Sequence, residues 1–223
     1  MAEYPQKTSL KVQMRGIHFG SQVTHLEEST KTNHPLNRTL VKFHINFPSV
    51  EFRDLSYWKN WQPTMRASLC FVLRDGQILM IRKKRGLGAG KINGPGGRLE
   101  LGESPLDAAI RETEEELCIT PLNLSVRGEL HFQFVDGLSL HCVVFTADGC
   151  LGEPKETDEA IPHWMEPSAI PYHDMWADDI LWLPGMLEGR NFKGYFHFDE
   201  DQMLSHHVDW DSDAMGVAPS PLT

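Results

Sequence analysis

Two stretches of the chain carry apolar residues at helical spacing, and short alternating runs surround them. Leu106, Ile110, Thr113 and Leu117 recur three to four residues apart and predict a helix with one buried stripe. A second helix is expected from Asp178 or Asp179, either of which can cap it, through about Leu187 despite Pro184. Ser68 to Leu73 is an apolar strand; Asp75-Gly76 is a hairpin signal and Gln77 to Ile81 returns. Leu130, Phe132 and Phe134 alternate, Asp136-Gly137 turns, and Leu140 to Phe145 comes back. His163 to Met165 is a short strand, and Phe192 to Phe198 with Met203 to Val208 reads as a last hairpin. Phe43, Ile45 and Phe47 alternate with polar neighbours, a further strand pattern. Together these runs imply a mixed α/β chain.

The first helix carries the chemistry. Ser104 is a good N-cap, Pro105 a good first residue, and Asp107 stands where a capping box needs an acceptor. Glu112, Glu115 and Glu116 stand at i, i+3 and i+4, so they share an arc, expected to face away from the apolar stripe. Glu114 falls on the other side and reads as solvated. Like charges at this spacing repel and destabilise a helix. A hard cation such as Mg²⁺ removes the repulsion, because it takes oxygen ligands and keeps phosphates in its shell. Alone, the run reads equally as a solvated acidic face.

The preceding segment changes that balance. Residues 86–97 hold six of the chain's 18 glycines, and Arg82-Lys83-Lys84-Arg85 leads into them. Glycine allows a backbone to approach a ligand closely, and the cations can answer phosphate charge. A flexible loop and an exposed basic run are the plain readings of each half. The two halves gain specificity from their fixed separation: Gly97, five residues, Glu103, seven residues, then Arg111-Glu112-Thr113-Glu114-Glu115-Glu116.

The stretch Gly97–Ile119 resembles the Nudix box, with Thr113 where an aliphatic residue is usual and Cys118 in place of the last glycine. Residues 83–94, Asp158-Glu159, Asp174-Met175-Trp176-Ala177-Asp178-Asp179, Trp182, Pro184 and 193–196 are similar to one branch of that superfamily, the animal oxidised-purine nucleoside triphosphate hydrolases. The likeness spans about residues 66–199. It implies the Nudix fold, a mixed β-sheet sandwiched between helices. It also implies a Mg²⁺ (or Mn²⁺) site made by the Gly96 carbonyl with Glu112, Glu115, Glu116 and Glu159. The same four glutamates are the catalytic candidates. One of Glu115, Glu116 or Glu159 takes the proton of the attacking water, and a carboxylate left off the metal is the better base. The substrate pocket implied is Ser68, Lys83, Asn93, Pro95, Gly96, Gly97, Arg98, Phe132, Phe134, Trp176, Asp178 and Asp179. Glu103 and Arg111 are expected to pair and hold loop against helix.

Each pocket residue has a structural alternative. Trp176, Phe132 and Phe134 suit a purine face and suit a core. Asn93 suits a base edge and also the turn before Gly94. Asp178 and Asp179 are adjacent, and in a dry pocket two carboxylates resist double ionisation. One then keeps its proton, and the pair offers a donor and an acceptor to 8-oxo-guanine and 2-hydroxy-adenine nucleotides. Leu87, Ile92 and Pro95 replace aromatic residues common in close relatives, and Ser68 and Leu140 replace a threonine and a methionine; Lys83 matches and can contact ligand or a carboxylate.

The expected reaction is hydrolysis of an oxidised purine triphosphate to monophosphate and pyrophosphate. A Nudix hydrolase for ADP-ribose or a dinucleoside polyphosphate is the second reading. A non-catalytic nucleotide-binding module is the third, and loss of a box glutamate, its signature, is not seen.

Composition sets the frame around this. The chain has 223 residues, 40% hydrophobic, with a formal net charge of −10. Such acidity argues against nonspecific duplex binding but is compatible with a free nucleotide escorted by metal. Residues 1–62 carry +3 and the remainder −13. That shift suggests an N-terminal extension (1–62), partly disordered between Thr8 and Asn37, a catalytic domain (63–210) and a loose tail (211–223). Tyr57, Trp58 and Trp61 are candidates to dock the extension on the domain. No apolar run approaches the ~20 residues that cross a bilayer. No secretory pattern is present, and Glu3, Glu27 and Glu28 speak against a transit peptide. A cytoplasmic monomer is expected, with nucleus or mitochondrial matrix open. Cys70, Cys118, Cys142 and Cys150 form no CxxC pair and read as packing thiols. The eleven histidines are scattered, and His206-His207 would point to opposite strand faces.

Overall fold

The computed structural model describes residues 55–211, so the patterns noted at 8–47 and the tail beyond Asp211 lie outside the described residues. The first strand, β1 (Met65–Arg74), returns as β2 (Gln77–Lys83) through Asp75 and Gly76. Both turn residues have positive φ, 53° and 77°, the handedness that matches the strand twist. The hairpin then splays. β1 pairs with β2 only over Val72–Arg74, and the gap takes in β3 (Ile92–Asn93), bonded to β2, and β4 (Gly96–Arg98), bonded to β1. The glycine-rich segment is thus wedged between the arms of a split hairpin. Glycine is required there: a Cβ on Gly96 (φ 148°) would lie 2.1 Å from the Ser68 carbonyl oxygen, and one on Gly94 2.7 Å from the Phe71 ring.

Further strands extend this sheet. The other edge of β1 runs parallel to β7 (Ser139–Ala147), which pairs antiparallel with β6 (Ser125–Phe134). Next come β10 (Phe192–Asp199), parallel to β6, and β11 (Gln202–Trp210). β9 (Ala160–Met165) covers the outer edge of β2, and β5 (Thr120–Leu122) with β8 (Gly149–Leu151) makes a small separate sheet. Hairpins, turns and strands expected at 68–81, 130–145, 163–165 and 192–208 are all present.

Alternation along the strands sends side chains to two cores. Cys70, Val72, Leu79 and Ile81 meet α2 (Pro105–Leu117) through Ala109 and Leu117. Phe71, Ile78, Met80 and Val144 meet α3 (Asp179–Leu187) through Trp182, Leu183 and Met186. Trp182 is wholly buried, stacked on Phe192 at 5.0 Å and edge-on to Phe71 at 5.8 Å. The main sheet therefore lies between helices. A short helix, α1 (Ser56–Lys59), precedes β1, and Tyr57 and Trp61 both donate to Gln133 Oε1 (3.1 and 3.0 Å). The aromatic residues expected to dock this segment do pack on the sheet. Among the described residues no helix is long and apolar enough to cross a membrane.

The box helix starts as its sequence requires. Ser104 Oγ accepts from the Asp107 N–H (3.1 Å), and its hydroxyl donates to Asp107 Oδ2 (2.6 Å). Its buried face, however, is rotated from the expected stripe. Leu106 is exposed, while Ala108, Ala109, Thr113, Glu116 and Leu117 are buried. Small alanines let the helix pack against β1, and Leu106, in the first turn, is left exposed. Glu114 is exposed yet bonded, accepting from Thr120 Oγ1 (2.6 Å). Cys118 is not a packing thiol: it is exposed and ends the helix with φ 59°, ψ 32°. Neither aspartate caps α3 in the expected way, since Asp178 makes no side-chain cap bond.

Candidate active site

Glu116 turns inward instead of sharing an outward arc with Glu112 and Glu115. Its side chain is 1% exposed, with Oε1 3.1 Å from Lys83 Nζ and Oε2 accepting the Gly96 N–H at 2.8 Å. Burial pushes its pKa up, against the pull of Lys83 and Gly96. Lys83 Nζ also donates to the Gly96 carbonyl (3.3 Å), so one ammonium bridges two of the oxygens expected to hold metal.

Gly97 opens the box for a steric reason. A Cβ there would lie 2.4 Å from the Glu112 carboxylate, so only glycine lets strand β4 and helix α2 meet with that carboxylate between them. Arg111 then ties the parts together. It forks onto Glu103 (Nε to Oε1 2.8 Å, Nη2 to Oε2 2.9 Å), reaches Glu112 and Glu115 (2.9 and 3.0 Å), and donates to the Arg98 carbonyl (3.0 Å). The guanidinium holds the Glu103 carboxyl down to about 2. Glu103 and Arg111 pair as expected.

The basic run does not present four free cations. Arg82 bonds Asp174 (3.3 Å), Lys84 bonds Glu156 (2.6 Å), and Arg85 bonds Glu159. Lys83 and Arg85 line the cavity and Arg82 and Lys84 do not, as alternation along an extended chain requires.

The cavity beside this cluster measures about 560 Å³. Of the expected pocket residues, Ser68, Lys83, Asn93, Gly96, Gly97, Arg98, Phe132, Phe134, Trp176, Asp178 and Asp179 line it, as do Glu112 and Glu159. Pro95 does not: it is buried, and its carbonyl accepts the Cys70 N–H (2.9 Å). Ile92 is likewise a core residue, not a pocket substitution. Glu115 stands outside the lining, 54% exposed, and Glu116 lies beneath it. Leu130, Cys142 and Leu69 line the cavity without having been singled out for it. Their signal was the strand register: Leu130 faces Cys142 and Phe132 faces Leu140 across β6 and β7.

At the far end, Asp178 and Asp179 are 1% and 3% exposed. Asp178 Oδ2 accepts from Trp182 Nε1 (3.0 Å) while its Oδ1 has no partner; Asp179 Oδ2 accepts the Trp176 N–H (3.1 Å). Burial pushes Asp178 up to about 6, and burial with the charge of Asp178 pushes Asp179 well above the carboxylate range. Asn93 Oδ1 accepts the Gly94 N–H (2.8 Å), leaving its amide nitrogen for the cavity. Lys91 Nζ sits 4.8 Å over the Trp176 ring. One end of the cavity thus gathers hard oxygen donors, and the other offers an aromatic face beside two protonatable carboxyls.

Comparison with known proteins gives this arrangement a setting. Residues 63–185 match the NUDIX domain. A Danio rerio protein named oxidized purine nucleoside triphosphate hydrolase is 44% identical over 144 residues, 64% of this chain and 92% of the relative. Its Mus musculus namesake is 40% identical over 143 residues, 63% of this chain and 92% of the relative. The crystal structure of a MutT protein from Bacillus halodurans superposes with a TM-score of 0.59 at 30% identity, covering 65% of this chain and 97% of that one.

Proposed function

The chain belongs to the NUDIX family, and from that premise we propose that it hydrolyses oxidised purine nucleoside triphosphates to monophosphate and pyrophosphate. Two relatives carrying that activity in their names match this chain over nearly their whole length. The observation that carries the reading is Asp178, a buried carboxyl with one oxygen unpartnered, on the lining of a cavity that Gly96, Gly97, Glu112 and Glu159 also line. A pocket for ADP-ribose or for an unmodified base has no need of a carboxyl poised near neutrality.

The metal is a divalent cation, and Mg²⁺ is the proposed ion. The donors present fit it: the Gly96 carbonyl and the carboxylates of Glu112, Glu115, Glu116 and Glu159 are hard oxygens with no thiolate or imidazole among them. A cation on these oxygens neutralises phosphate charge and acidifies water. The chain's own residues do the rest. Arg111 aligns Glu112 and Glu115 from behind. Lys83, bound to Glu116 and Gly96 in this structure, is the cation that ligand charge displaces toward a phosphate. Glu159 lines the cavity with Arg85 beside it, and of Glu115, Glu116 and Glu159 the one that the cation leaves uncoordinated is the proposed proton acceptor for the attacking water. Trp176 stacks on the purine, with Phe132 and Phe134 as walls. Asn93, Asp178 and Asp179 read its edge. A raised carboxyl beside a second one presents either a donor or an acceptor, which admits both 8-oxo-guanine and 2-hydroxy-adenine.

We further assign residues 63–210 as the catalytic domain. A product panel tests the activity: the protein with Mg²⁺ is offered oxidised dGTP, oxidised dATP, normal dNTPs, ADP-ribose and a capped nucleotide. Pyrophosphate released preferentially from the oxidised purines is the expected result. AMP from ADP-ribose alone, or binding without turnover, refutes it.

A further inference from the structure

The face of the sheet opposite the cavity carries a second set of ligating groups. On β6, Leu130, Phe132 and Phe134 turn toward the cavity, so Glu129, His131 and Gln133 turn away. His141 on β7 stands directly across from His131. One ligand atom each from Glu129, His131 and His141 lies within 4.8 Å of the others. His141 Nε2 is 3.0 Å and His131 Nε2 3.9 Å from the same oxygen, Glu129 Oε2.

The second histidine is oriented by the backbone. His131 Nδ1 lies 3.2 Å from the Gly194 carbonyl oxygen, which can only accept, so Nδ1 carries the hydrogen. A neutral ring held this way turns a bare Nε2 lone pair toward a carboxylate oxygen. No proton joins the two at 3.9 Å; a cation between them would. A backbone carbonyl on the far nitrogen is also the support that fixes tautomer and angle in metal-binding histidines. The site is sheltered, the His131, His141 and Glu129 side chains being 15%, 20% and 35% exposed. Trp61 and Trp58 roof it, with ring centroids 5.4 and 6.3 Å from His131. Lys193 takes the other carboxylate oxygen, Oε1, at 3.5 Å and leaves Oε2 to the histidines.

We propose that Glu129, His131 and His141 form a zinc-class metal site on the outer face of the sheet. Two imidazoles and a carboxylate, with room for water as a fourth ligand, are a borderline donor set that prefers Zn²⁺ to Mg²⁺. The all-oxygen cluster across the sheet is the hard donor set that suits Mg²⁺, so with Mg²⁺ in excess the two sites sort the metals. Bound there, the ion ties β6 to β7 and, through Gly194, to β10. β6 and β7 carry the apolar wall of the cavity through Leu130, Phe132, Phe134, Leu140 and Cys142, so the role is to stiffen that wall from behind.

The full chain, stripped of metal and held in millimolar Mg²⁺, is titrated with Zn²⁺ alone against a chromogenic zinc chelator. Wild type and Glu115→Gln are expected to withhold one zinc per chain. His141→Gln and Glu129→Gln are expected to bind it at least about tenfold more weakly while still hydrolysing nucleotide, which shows them folded. Zinc is also expected to raise the melting temperature of wild type and not of these two. Failure of wild type to retain zinc, loss of it in Glu115→Gln, or equal retention by all four chains overturns the proposal.

Discussion

At the Gly96 end of the cavity each acidic group has a cation against it: Glu116 has Lys83, Glu112 and Glu115 share Arg111, and Glu159 has Arg85. At the Trp176 end, Asp178 and Asp179 are more deeply buried than Glu112, Glu115 or Glu159 and make no ion pair among the described residues. Their partners are neutral donors, the Trp182 indole and the Trp176 backbone. The consequence is a different use of the carboxyl group. A carboxylate with a cation against it can trade that partner for a ligand's charge, so its work is to hold or exchange charge. A carboxyl in a dry pocket beside its own kind is driven to keep a proton, so its work is to present a hydrogen-bond pattern. Phosphate is recognised by the first kind of chemistry and a base edge by the second.

The strongest test of the charge-exchanging end is Glu116→Gln. The amide keeps the shape and can still accept the Gly96 N–H, but it offers Lys83 and a metal no charge. Turnover is expected to fall on the order of 10²-fold or more, measured in saturating Mg²⁺ with circular dichroism as the folding control. Wild-type turnover in that variant removes Glu116 from the site and with it the contrast between the ends.

Glu103→Gln probes the same end one step further out. Arg111 loses its forked partner but keeps Glu112 and Glu115. A loss of roughly ten- to hundredfold in kcat or metal affinity is expected. The pH dependence of stability adds a second readout. Arg111 lowers the folded pKa of Glu103 to about 2 from 4.5, so the pair stabilises above the upper value and that contribution disappears as pH falls through the lower one. Wild type and variant should therefore converge in stability below about pH 2, as read by acid titration of the far-ultraviolet signal.

How far each end was legible in the sequence follows from how each is built. The phosphate end is local: Gly97, Glu103 and the residues from Arg111 to Glu116 are joined by one loop and one helix, so spacing alone placed them. What spacing missed was the depth of Glu116 and the exposure of Leu106, because helical period gives an arc but not its rotation against a sheet. The base end needs three strands and α3 to converge from distant parts of the chain. Alternation told that Leu130, Phe132 and Phe134 share a face, not that this face borders a cavity together with Cys142. The histidine pair was within reach of the sequence. A turn centred on Asp136 places 131 opposite 141 as surely as it places 133 opposite 139, yet scanning for short ligand spacings passes over partners related by a hairpin.

The proton-dependent end is tested by Asp178→Asn. With the Asn oxygen accepting from Trp182, the amide nitrogen donates permanently where Oδ1 now stands. The ratio of kcat/KM for 8-oxo-dGTP and 2-hydroxy-dATP is expected to vary with pH through about 6 in wild type. In the variant it should be flat and shifted by about tenfold, the scale of one hydrogen bond. Stability gives the matching sign. The folded pKa of Asp178 lies above its ordinary 3.8, so wild type loses stability as pH rises from there to about 6. That descent should shrink in the variant. Identical pH–rate profiles for the two substrates in wild type refute the protonation reading while leaving the metal end intact.

The smallest effect concerns the residue that ends the box helix. Cys118 sits at φ 59°, where an L side chain meets the following carbonyl oxygen and glycine does not. It lies next to the phosphate end in sequence, yet its thiol is exposed and does not line the cavity. Cys118→Gly relieves strain of about 1–2 kcal/mol and returns part of it through the greater freedom of glycine in the unfolded chain, so a net gain of about 1 kcal/mol or less is expected. Denaturant midpoints measure it. Turnover should not change, because the box chemistry resides in Gly96 through Glu116 and the cap only stops the helix. A cysteine-to-glycine change that altered kcat would mean that the helix end is coupled to the metal cluster, and the functional boundary of the phosphate end would move to residue 118.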